Sequence, residues 1–156
     1  MYLYQVSMEK IAHLVEWITS LGGYANTKTK RFLRYTFSGT STFVLDFLLL
    51  WFLNGALNIH YIPAATVSYI LATVVHYYIV RNWAFTGTKR QIIVGYIYFS
   101  IIAGAGLGLN ILLLAFFVEI VSVHTLLARL ISGIFVGIWN YILNLFLNFK
   151  THGQQL

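Results

Sequence analysis

The longest apolar run of the chain is IIVGYIYFSIIAGAGLGLNILLLAFFVEIV, from Ile92 to Val121. Its side chains are almost all apolar, and Glu119 near its end is its one charged residue. A helix rises about 1.5 Å per residue, and about 20 mostly apolar residues cross the hydrocarbon core of a bilayer. The stretch is therefore predicted to be a transmembrane helix.

The composition extends this conclusion to the whole chain. Of the 156 residues, 59% are hydrophobic, 17% are aromatic and only 9% are charged. A water-soluble protein of this length has too little interior to bury so much apolar surface. We therefore expect an integral membrane protein. Because the chain has no cysteine, disulfides and thiolate metal sites are excluded.

Three more segments are apolar and long enough to span a membrane: about Leu33 to Leu53, Ile62 to Val80, and Leu126 to Asn148. With Ile92 to Val121 they predict an all-α integral membrane protein with four transmembrane helices. Residues 31–150 are expected to form this transmembrane domain. Residues 1–30 are expected to form a cytoplasmic amphipathic segment before it, and residues 151–156 a cytoplasmic tail after it.

The charges that flank these segments predict their orientation, because cationic loops lie on the cytoplasmic side of membrane proteins. Cations stand before the first segment, after the second and after the fourth: Lys28, Lys30, Arg31, Arg34, Arg81, Lys89, Arg90 and Lys150. We therefore expect a multi-pass protein of the cytoplasmic (inner) membrane with both termini inside. This orientation accounts for the net charge of +6, so nucleic-acid binding is not indicated.

The stretch MEKIAHLVEWITSLGG, residues 8–23, precedes the first apolar segment. Its apolar residues recur at helical spacing, and its charged residues lie largely on the other face. Gly22 and Gly23 then predict the end of the helix. The stretch is too short in apolar residues to span, so it predicts an amphipathic helix that lies on the inner membrane surface.

The first two membrane segments resemble the last two when the chain is shifted by 64 residues. Asp46 then coincides with Asn110 and His76 with Asn140, and polar residues inside apolar runs rarely coincide by chance. Other identities include Ala64 with Ala128, Ser68 with Ser132, Tyr77 with Tyr141 and Phe85 with Phe149. The pattern predicts two parallel two-helix repeats, related by an axis along the membrane normal.

Charged residues inside apolar segments are costly in hydrocarbon and are candidates for function. Asp46 lies about 20 Å along the first helix from Leu33, in its outer half. Arg129 is near the outer start of the fourth helix, at a comparable depth. We predict an ion pair between Asp46 and Arg129, which either fixes the register of the helices or takes part in moving a substrate.

The inner half of the membrane domain carries polar residues on the second and fourth helices. His76, Arg81 and Asn82 lie at the end of the second helix, and Asn140, Asn144 and Asn148 recur every four residues on the fourth. Such an asparagine stripe either joins helices by hydrogen bonds or binds sugar hydroxyls. Arg81 either binds a phosphate or extends to ordinary lipid headgroups.

No combination of Ser, His and acidic residues that would support catalysis can be assembled, so the protein is not expected to be an enzyme. Neither a metal site nor a cofactor is predicted. Small residues four apart allow helices to approach closely: Gly104, Gly108, Gly133 and Gly137. Because four helices enclose little room for a sugar, we predict a homo-oligomer, most simply a dimer, with a groove between protomers.

Four stretches carry a resemblance to the GtrA-like family of small four-helix membrane proteins. They are RFLRYTFSGTSTFVLDFLLLWFL (31–53), HYYIVRNWAF (76–85), TLLARLISG (125–133) and WNYILNLFLNF (139–149). The resemblance covers about Arg31 to Lys150. The family pattern at the inner helix ends resembles N-F-L-L-N-R-x-W-x-F. Matching residues are Arg81, Trp83 and Phe85 in the second helix and Asn140, Asn144 and Phe149 in the fourth; departures are His76, Val80, Leu145 and Leu147.

The resemblance implies that the protein flips a polyprenyl-phosphate-linked monosaccharide from the inner to the outer leaflet, for glycosylation of cell-surface polysaccharide or teichoic acid. Membrane lipid would surround the prenyl tail throughout. The phosphate or sugar would contact residues at the inner end: Arg34, His76, Arg81, Asn82, Trp83, Asn140 and Asn144. The alternative is a non-transporting anchor or scaffold for a polyprenyl-phosphate glycosyltransferase, and a proton-coupled efflux transporter is a third interpretation.

Overall fold

The computed structural model describes the backbone of residues 2–151, and the side chains of these residues other than 2–8, 61, 62, 65, 114, 125, 126 and 129. Throughout the described range the secondary structure is helical, without strands. The five α-helices are α1 Tyr2–Thr19, α2 Thr27–Trp51, α3 Tyr61–Ile79, α4 Ile92–Ala115 and α5 Thr125–Leu143. A π-helical turn follows each of the last four: Phe52–Ala56, Val80–Ala84, Phe116–Ile120 and Asn144–Asn148. The all-helical fold class is thereby confirmed.

A turn with positive φ values and a helix cap separate α1 from α2. After Thr19 the chain turns through Leu21, Gly22 and Gly23, which have φ values of 50°, 67° and 96°. Positive φ is readily adopted by glycine, so the glycine pair ends the helix as predicted. Asn26 then caps α2, because its side chain accepts a hydrogen bond from the Thr29 amide at 3.0 Å. A position of α1 on the membrane surface stays a prediction.

By length and composition, three helical segments of the described chain can cross a membrane: Thr27–Ala56, Ile92–Ile120 and Leu130–Asn148. They overlap three of the four predicted spans. The remaining one, Ile62 to Val80, corresponds to the helix α3, and its crossing of the membrane stays a prediction. Large apolar side chains point outward, as lipid contact requires; Phe43, Ile93 and Ile120 are 70%, 74% and 72% exposed.

The chain divides into two compact units, the first ending at Ala84 and the second beginning at Phe85. In the first unit α2 packs against α3, and α1 contacts α2. In the second unit α4 packs against α5. Each unit thus contains an antiparallel helical hairpin, α2 with α3 in the first and α4 with α5 in the second, because a short turn joins the two helices.

The 64-residue repeat found in the sequence recurs in the helix boundaries of the two units. α3 and α5 begin and end 64 residues apart, as do the π-helical turns that precede and follow them. Asn58 and Ser122, one repeat apart, have φ values of 52° and 58° in the turns of the two hairpins. The repeated small and aromatic positions are buried in both units: Ala64 and Ala128, Ser68 and Ser132, Tyr77 and Tyr141, Phe85 and Phe149. Their arrangement as parallel repeats about a membrane axis stays a prediction.

Candidate functional site

In the first unit, arginines of α2 bind the π-helical turn that ends α3. Arg31 is 2% exposed and its Nε donates to the Ala84 carbonyl at 3.2 Å. Arg34 Nη1 donates to the Trp83 carbonyl at 3.0 Å, and its guanidinium lies 5.3 Å from the centre of the Trp83 ring. Carbonyls at a helix end lack intrahelical donors, so these arginines satisfy them. The structure therefore brings Arg34 and Trp83 together, as two of the predicted site residues.

Arg34 is also paired with a carboxylate that the sequence analysis did not include in the site. Its Nη2 donates to Glu16 Oε2 at 2.8 Å and to Oε1 at 3.0 Å, and Lys30 forms an ion pair with the same carboxylate. The hydrogen bond from Lys30, followed by Arg34, lowers the pKa of Glu16 below its ordinary value, against a smaller opposing effect of burial. This cluster joins α1 to α2, and it compensates the charge of Arg34.

The predicted residues at the inner end of α3 differ in their surroundings. Arg81 Nη1 donates to the Tyr77 hydroxyl at 3.0 Å, and Tyr77 is fully buried. Arg81 and Trp83 are half-buried, whereas Asn82 is exposed. Arg81 is therefore anchored to the buried Tyr77, and its binding of a phosphate stays a prediction.

A polar groove of about 160 Å³ runs between α2 and α3. Its polar residues are Thr42 and Asp46 on α2 and Tyr69, Thr73 and His76 on α3. Asp46 Oδ1 is buried and has no hydrogen-bond partner among the described residues. An acceptor in that state is costly in a membrane unless a ligand, water or proton satisfies it. We name this feature the α2–α3 groove.

Gly39 and Tyr35 lie next to the histidine of the α2–α3 groove. A Cβ placed on Gly39 would lie 3.6 Å from the His76 ring, which is ordinary contact distance. The centre of the Tyr35 ring is 5.7 Å from that of His76. His76 was predicted to lie beside Arg81, and the structure also brings it to the groove that Asp46 lines.

The sequence contains a pattern that predicts the shared groove of Asp46 and His76. In an antiparallel hairpin, residues equally far from the turn face each other. Gly39 and His76 are such a pair, as are Thr42 with Thr73 and Asp46 with Tyr69, and all six line the groove. Matching positions across the turn would therefore have found the groove, whereas treating each helix separately did not.

In the second unit the asparagine stripe forms a chain of hydrogen bonds. Asn144 Nδ2 donates to the Asn140 carbonyl at 2.9 Å, and Asn148 Nδ2 donates to Asn144 Oδ1 and to the Gly95 carbonyl, both at 3.0 Å. Asn144 and Asn148 are fully buried. Since Gly95 belongs to α4, Asn148 joins the two helices of the unit, which agrees with the structural interpretation of the stripe.

Asn140 has a different role from Asn148. A Cβ on Gly106 of α4 would overlap the Asn140 carboxamide, coming within 2.8 Å of Nδ2 and 3.0 Å of Cγ. Asn140 is half-buried, and its Oδ1 is buried without a hydrogen-bond partner among the described residues. Asn110 Oδ1, at the repeat position of Asp46, is in the same state. Asn140 Oδ1 is therefore an acceptor that no described donor satisfies, and its binding of a sugar stays a prediction.

Two predictions about the site are not tested by these contacts. The Arg129 side chain lies outside the described residues, so its ion pair with Asp46 stays a prediction. In the described part of the chain, no group of three or more His, Asp or Glu side chains is placed to hold a metal ion.

Comparison with known proteins connects this architecture to a family. A search of curated protein sequences finds no match to the chain. The profile of the family described as "GtrA/DPMS, transmembrane domain" matches residues 34–149, about three quarters of the 156 residues. The match confirms the resemblance carried by the four sequence motifs, and it indicates a membrane protein of glycosylation or sugar-lipid handling. The chain belongs to the GtrA/DPMS transmembrane-domain family.

Proposed function

We propose that the protein translocates a polyprenyl-phosphate-linked monosaccharide from the inner to the outer leaflet of the cytoplasmic membrane. The sugar would serve glycosylation of cell-surface polysaccharide or teichoic acid. The family match supports a role in sugar-lipid handling. The observation that carries the translocation step is the α2–α3 groove, because it places a carboxylate, two threonines and a histidine within a helical hairpin that is otherwise largely apolar.

The groove addresses the main energetic obstacle to moving a sugar through a bilayer. Each hydroxyl that leaves water without a new partner costs several kcal/mol. Asp46 offers an unsatisfied acceptor, and the Thr73 hydroxyl can donate and accept. The Thr42 hydroxyl donates to the Ser38 carbonyl at 2.9 Å, so it offers a ligand an acceptor. A sugar in the groove would therefore exchange its bonds with water for bonds with the protein.

The sides of the groove suit a substrate that stays attached to a lipid tail. Phe43 and Tyr69, which line it, are 70% and 53% exposed on the outside of the chain. An opening toward the outside lets a headgroup enter sideways while the prenyl chain remains in hydrocarbon. The same aromatic rings offer apolar faces to the C–H side of a sugar.

The inner end of the first unit offers contacts for the phosphate before translocation. Arg81 provides a planar donor fork for a phosphate, with Asn82 exposed and Trp83 half-buried beside it. Arg34 contributes only when a phosphate replaces Glu16 as its partner. In the second unit, Asn140 and Asn144 are the residues proposed to hydrogen-bond the sugar.

A homo-oligomer, most simply a dimer, belongs to this proposal. Cβ atoms added at the four glycines of the predicted interface would have no described atom within 4 Å: Gly104, Gly108, Gly133 and Gly137. These backbones are therefore open to close approach by another helix, which is how small residues act in membrane interfaces. A second copy of the chain would supply that helix.

The test of translocation uses sealed liposomes that contain the protein and a polyprenyl-phosphate-linked sugar in both leaflets. An enzyme added outside consumes the outer-leaflet lipid, and delayed consumption of the remainder measures flipping. We expect Asp46→Asn to slow flipping about tenfold or more, since a hydrogen bond to a charged group contributes about 1.5–3 kcal/mol. Glu119→Gln, which removes a carboxylate outside the groove, is the matched control and is expected to flip normally.

A second candidate function is a non-transporting anchor for a polyprenyl-phosphate glycosyltransferase. It is favoured by the family description, which names a transmembrane domain, a part that can serve a larger assembly. In that case the native protein flips no lipid in liposomes, while a glycosyltransferase co-purifies with it from membranes. Asp46 would then fix helix register, and Asp46→Asn would lower stability without changing sugar-lipid exposure.

A further inference from the structure

A cationic pocket lies at the beginning of α4 in the second unit. Its volume is about 520 Å³, and Lys89, Arg90 and Lys150 line it together with Gln91, Val94 and Asn148. Lys89 and Lys150 are exposed, so their ammonium groups are free to move toward a ligand. In the sequence these cations indicate the cytoplasmic side of the membrane.

Arg90 is held in place within this pocket. Its Nε donates to the Asn148 carbonyl at 2.9 Å and its Nη2 to the Leu147 carbonyl at 2.7 Å. Its guanidinium also lies 4.7 Å from the centre of the Tyr98 ring. The side chain is therefore already ordered, which lowers the entropy lost when an anion binds.

Two further groups of the pocket suit a phosphate-bearing ligand. Gln91 precedes α4 and its own side chain forms no cap, while the start of this 24-residue helix carries a partial positive charge. Asn148 is fully buried, and its Oδ1 has no hydrogen-bond partner among the described residues. That oxygen can accept from a hydroxyl on the ligand, while the cations and the helix start contact the phosphate.

Acidic side chains are rare in the sequence of the second unit. The whole chain has four acidic residues, and Glu119 is the only one after Ala84. Glu119 lies beyond the far end of α4, about 40 Å from Ile92 at the helical rise. Lys89 and Lys150 therefore stand in a part of the sequence that has no acidic side chain nearby.

The corresponding positions of the first unit bind a carboxylate. Val94, which lines the pocket, and Tyr98, which packs on Arg90, stand one repeat after Lys30 and Arg34. Lys30 and Arg34 are the residues that bind the Glu16 carboxylate of α1. The face that carries a built-in anion in the first repeat thus carries an open cationic pocket in the second.

We propose that this pocket binds the phosphate group of a membrane lipid, which takes the place that Glu16 has in the first repeat. That the lipid is a polyprenyl-phosphate-linked sugar rests on the proposed function; the binding of a lipid phosphate does not. Because Lys89 and Lys150 are exposed, the affinity falls with rising ionic strength.

The test measures binding of farnesyl phosphate to the purified full chain in neutral detergent, with farnesol as the ligand that lacks the phosphate. The pocket variant is Lys89→Gln with Lys150→Gln, and the charge-matched control is Lys10→Gln with Lys28→Gln. We expect the pocket variant to bind about five- to tenfold more weakly, as for the loss of two screened charge-assisted contacts. The control is expected to bind within about twofold of the native chain on the same reasoning. Circular dichroism and a single elution peak establish that all variants fold.

Equal weakening in both double variants would overturn the proposal, because net charge alone would then explain binding. Equal binding of farnesol and farnesyl phosphate would overturn it as well. Competition by phosphatidylglycerol as strong as by farnesyl phosphate supports the site and identifies an ordinary headgroup as its source, whereas competition by inorganic phosphate alone overturns the lipid assignment.

Binding of a lipid phosphate at this pocket and translocation of a lipid-linked sugar can be refuted independently. A protein that binds farnesyl phosphate through Lys89 and Lys150 but flips nothing in liposomes keeps the phosphate site and loses the translocation proposal. A protein whose Lys89→Gln, Lys150→Gln variant both binds and flips like the native chain loses the phosphate site and keeps translocation.

Discussion

Replacing Asn148 with alanine tests whether the asparagine stripe holds the second unit together. Asn148 is fully buried and donates two hydrogen bonds of 3.0 Å, one to the Gly95 carbonyl on α4 and one to Asn144 Oδ1. Alanine removes both donors and leaves Asn144 Oδ1 buried without one. In contrast, Asn54 donates one exposed hydrogen bond of 2.9 Å to the Ile59 carbonyl.

The expected cost follows from these contacts. A lost hydrogen bond costs about 1 kcal/mol, and an acceptor left unsatisfied in a buried site costs about 1–3 kcal/mol. The Gly95 carbonyl keeps its place in α4, so Asn144 Oδ1 contributes the larger part. We expect Asn148→Ala to lower the free energy of unfolding by about 2–4 kcal/mol and Asn54→Ala by less than about 1 kcal/mol.

Unfolding of the purified protein in mixed detergent micelles, followed by circular dichroism as the denaturing detergent increases, measures the two differences. If Asn148→Ala and Asn54→Ala have the same small effect, the stripe does not join α4 to α5, and the hydrogen-bond reasoning is wrong. A large effect of Asn148→Ala alone confirms it.

Three further predictions address packing, pH and topology. Gly106→Ala is expected to displace the Asn140 carboxamide and to lower the midpoint temperature of unfolding. Gly39→Ala, whose new Cβ would lie 3.6 Å from His76, is expected to be tolerated. An equal effect of the two substitutions would contradict the Gly106 contact. Lys30 and Arg34 lower the pKa of Glu16 in the folded protein. The ion pairs of Glu16 that join α1 to α2 are therefore fully present above its ordinary pKa of about 4.5, and they are lost as pH falls through its lower pKa in the folded protein. Hydrogen exchange in α1, corrected for intrinsic rates, should therefore rise at acidic pH in the native chain, and Glu16→Gln should abolish that dependence. Since the chain has no cysteine, single cysteines at Ile59 and Val123 are expected to react with an impermeant reagent from outside the cell and one at Thr86 only from inside; reaction of Thr86→Cys from outside would refute the four-span prediction.

Features that depend on composition and on short-range pattern could be predicted from the amino-acid sequence. The apolar runs predict a helical membrane protein because a helix forms all its backbone hydrogen bonds within one segment, as hydrocarbon requires. The glycine pair at residues 22–23 and the asparagine at residue 26 mark a helix end and a helix start, since these effects act within one turn. The 64-residue repeat could also be found in the sequence, because it is a similarity between residues 64 positions apart. The helix boundaries recur at the same spacing.

The pairing of polar residues depends on how the helices pack, and it could not be predicted from the sequence. Arg34 and Lys30 could have remained free interfacial cations, and their pairing with Glu16 depends on how α1 docks against α2. Likewise, Asp46 and His76 share a groove because the two arms of one hairpin are in a particular register, and Asn148 reaches Gly95 for the same reason. Helical periodicity fixes the face that a side chain occupies, but the register between helices is set by the fit of large and small side chains across their interface. That fit is a property of the folded hairpin, so the ion pairs, the groove and the cationic pocket emerged only in three dimensions.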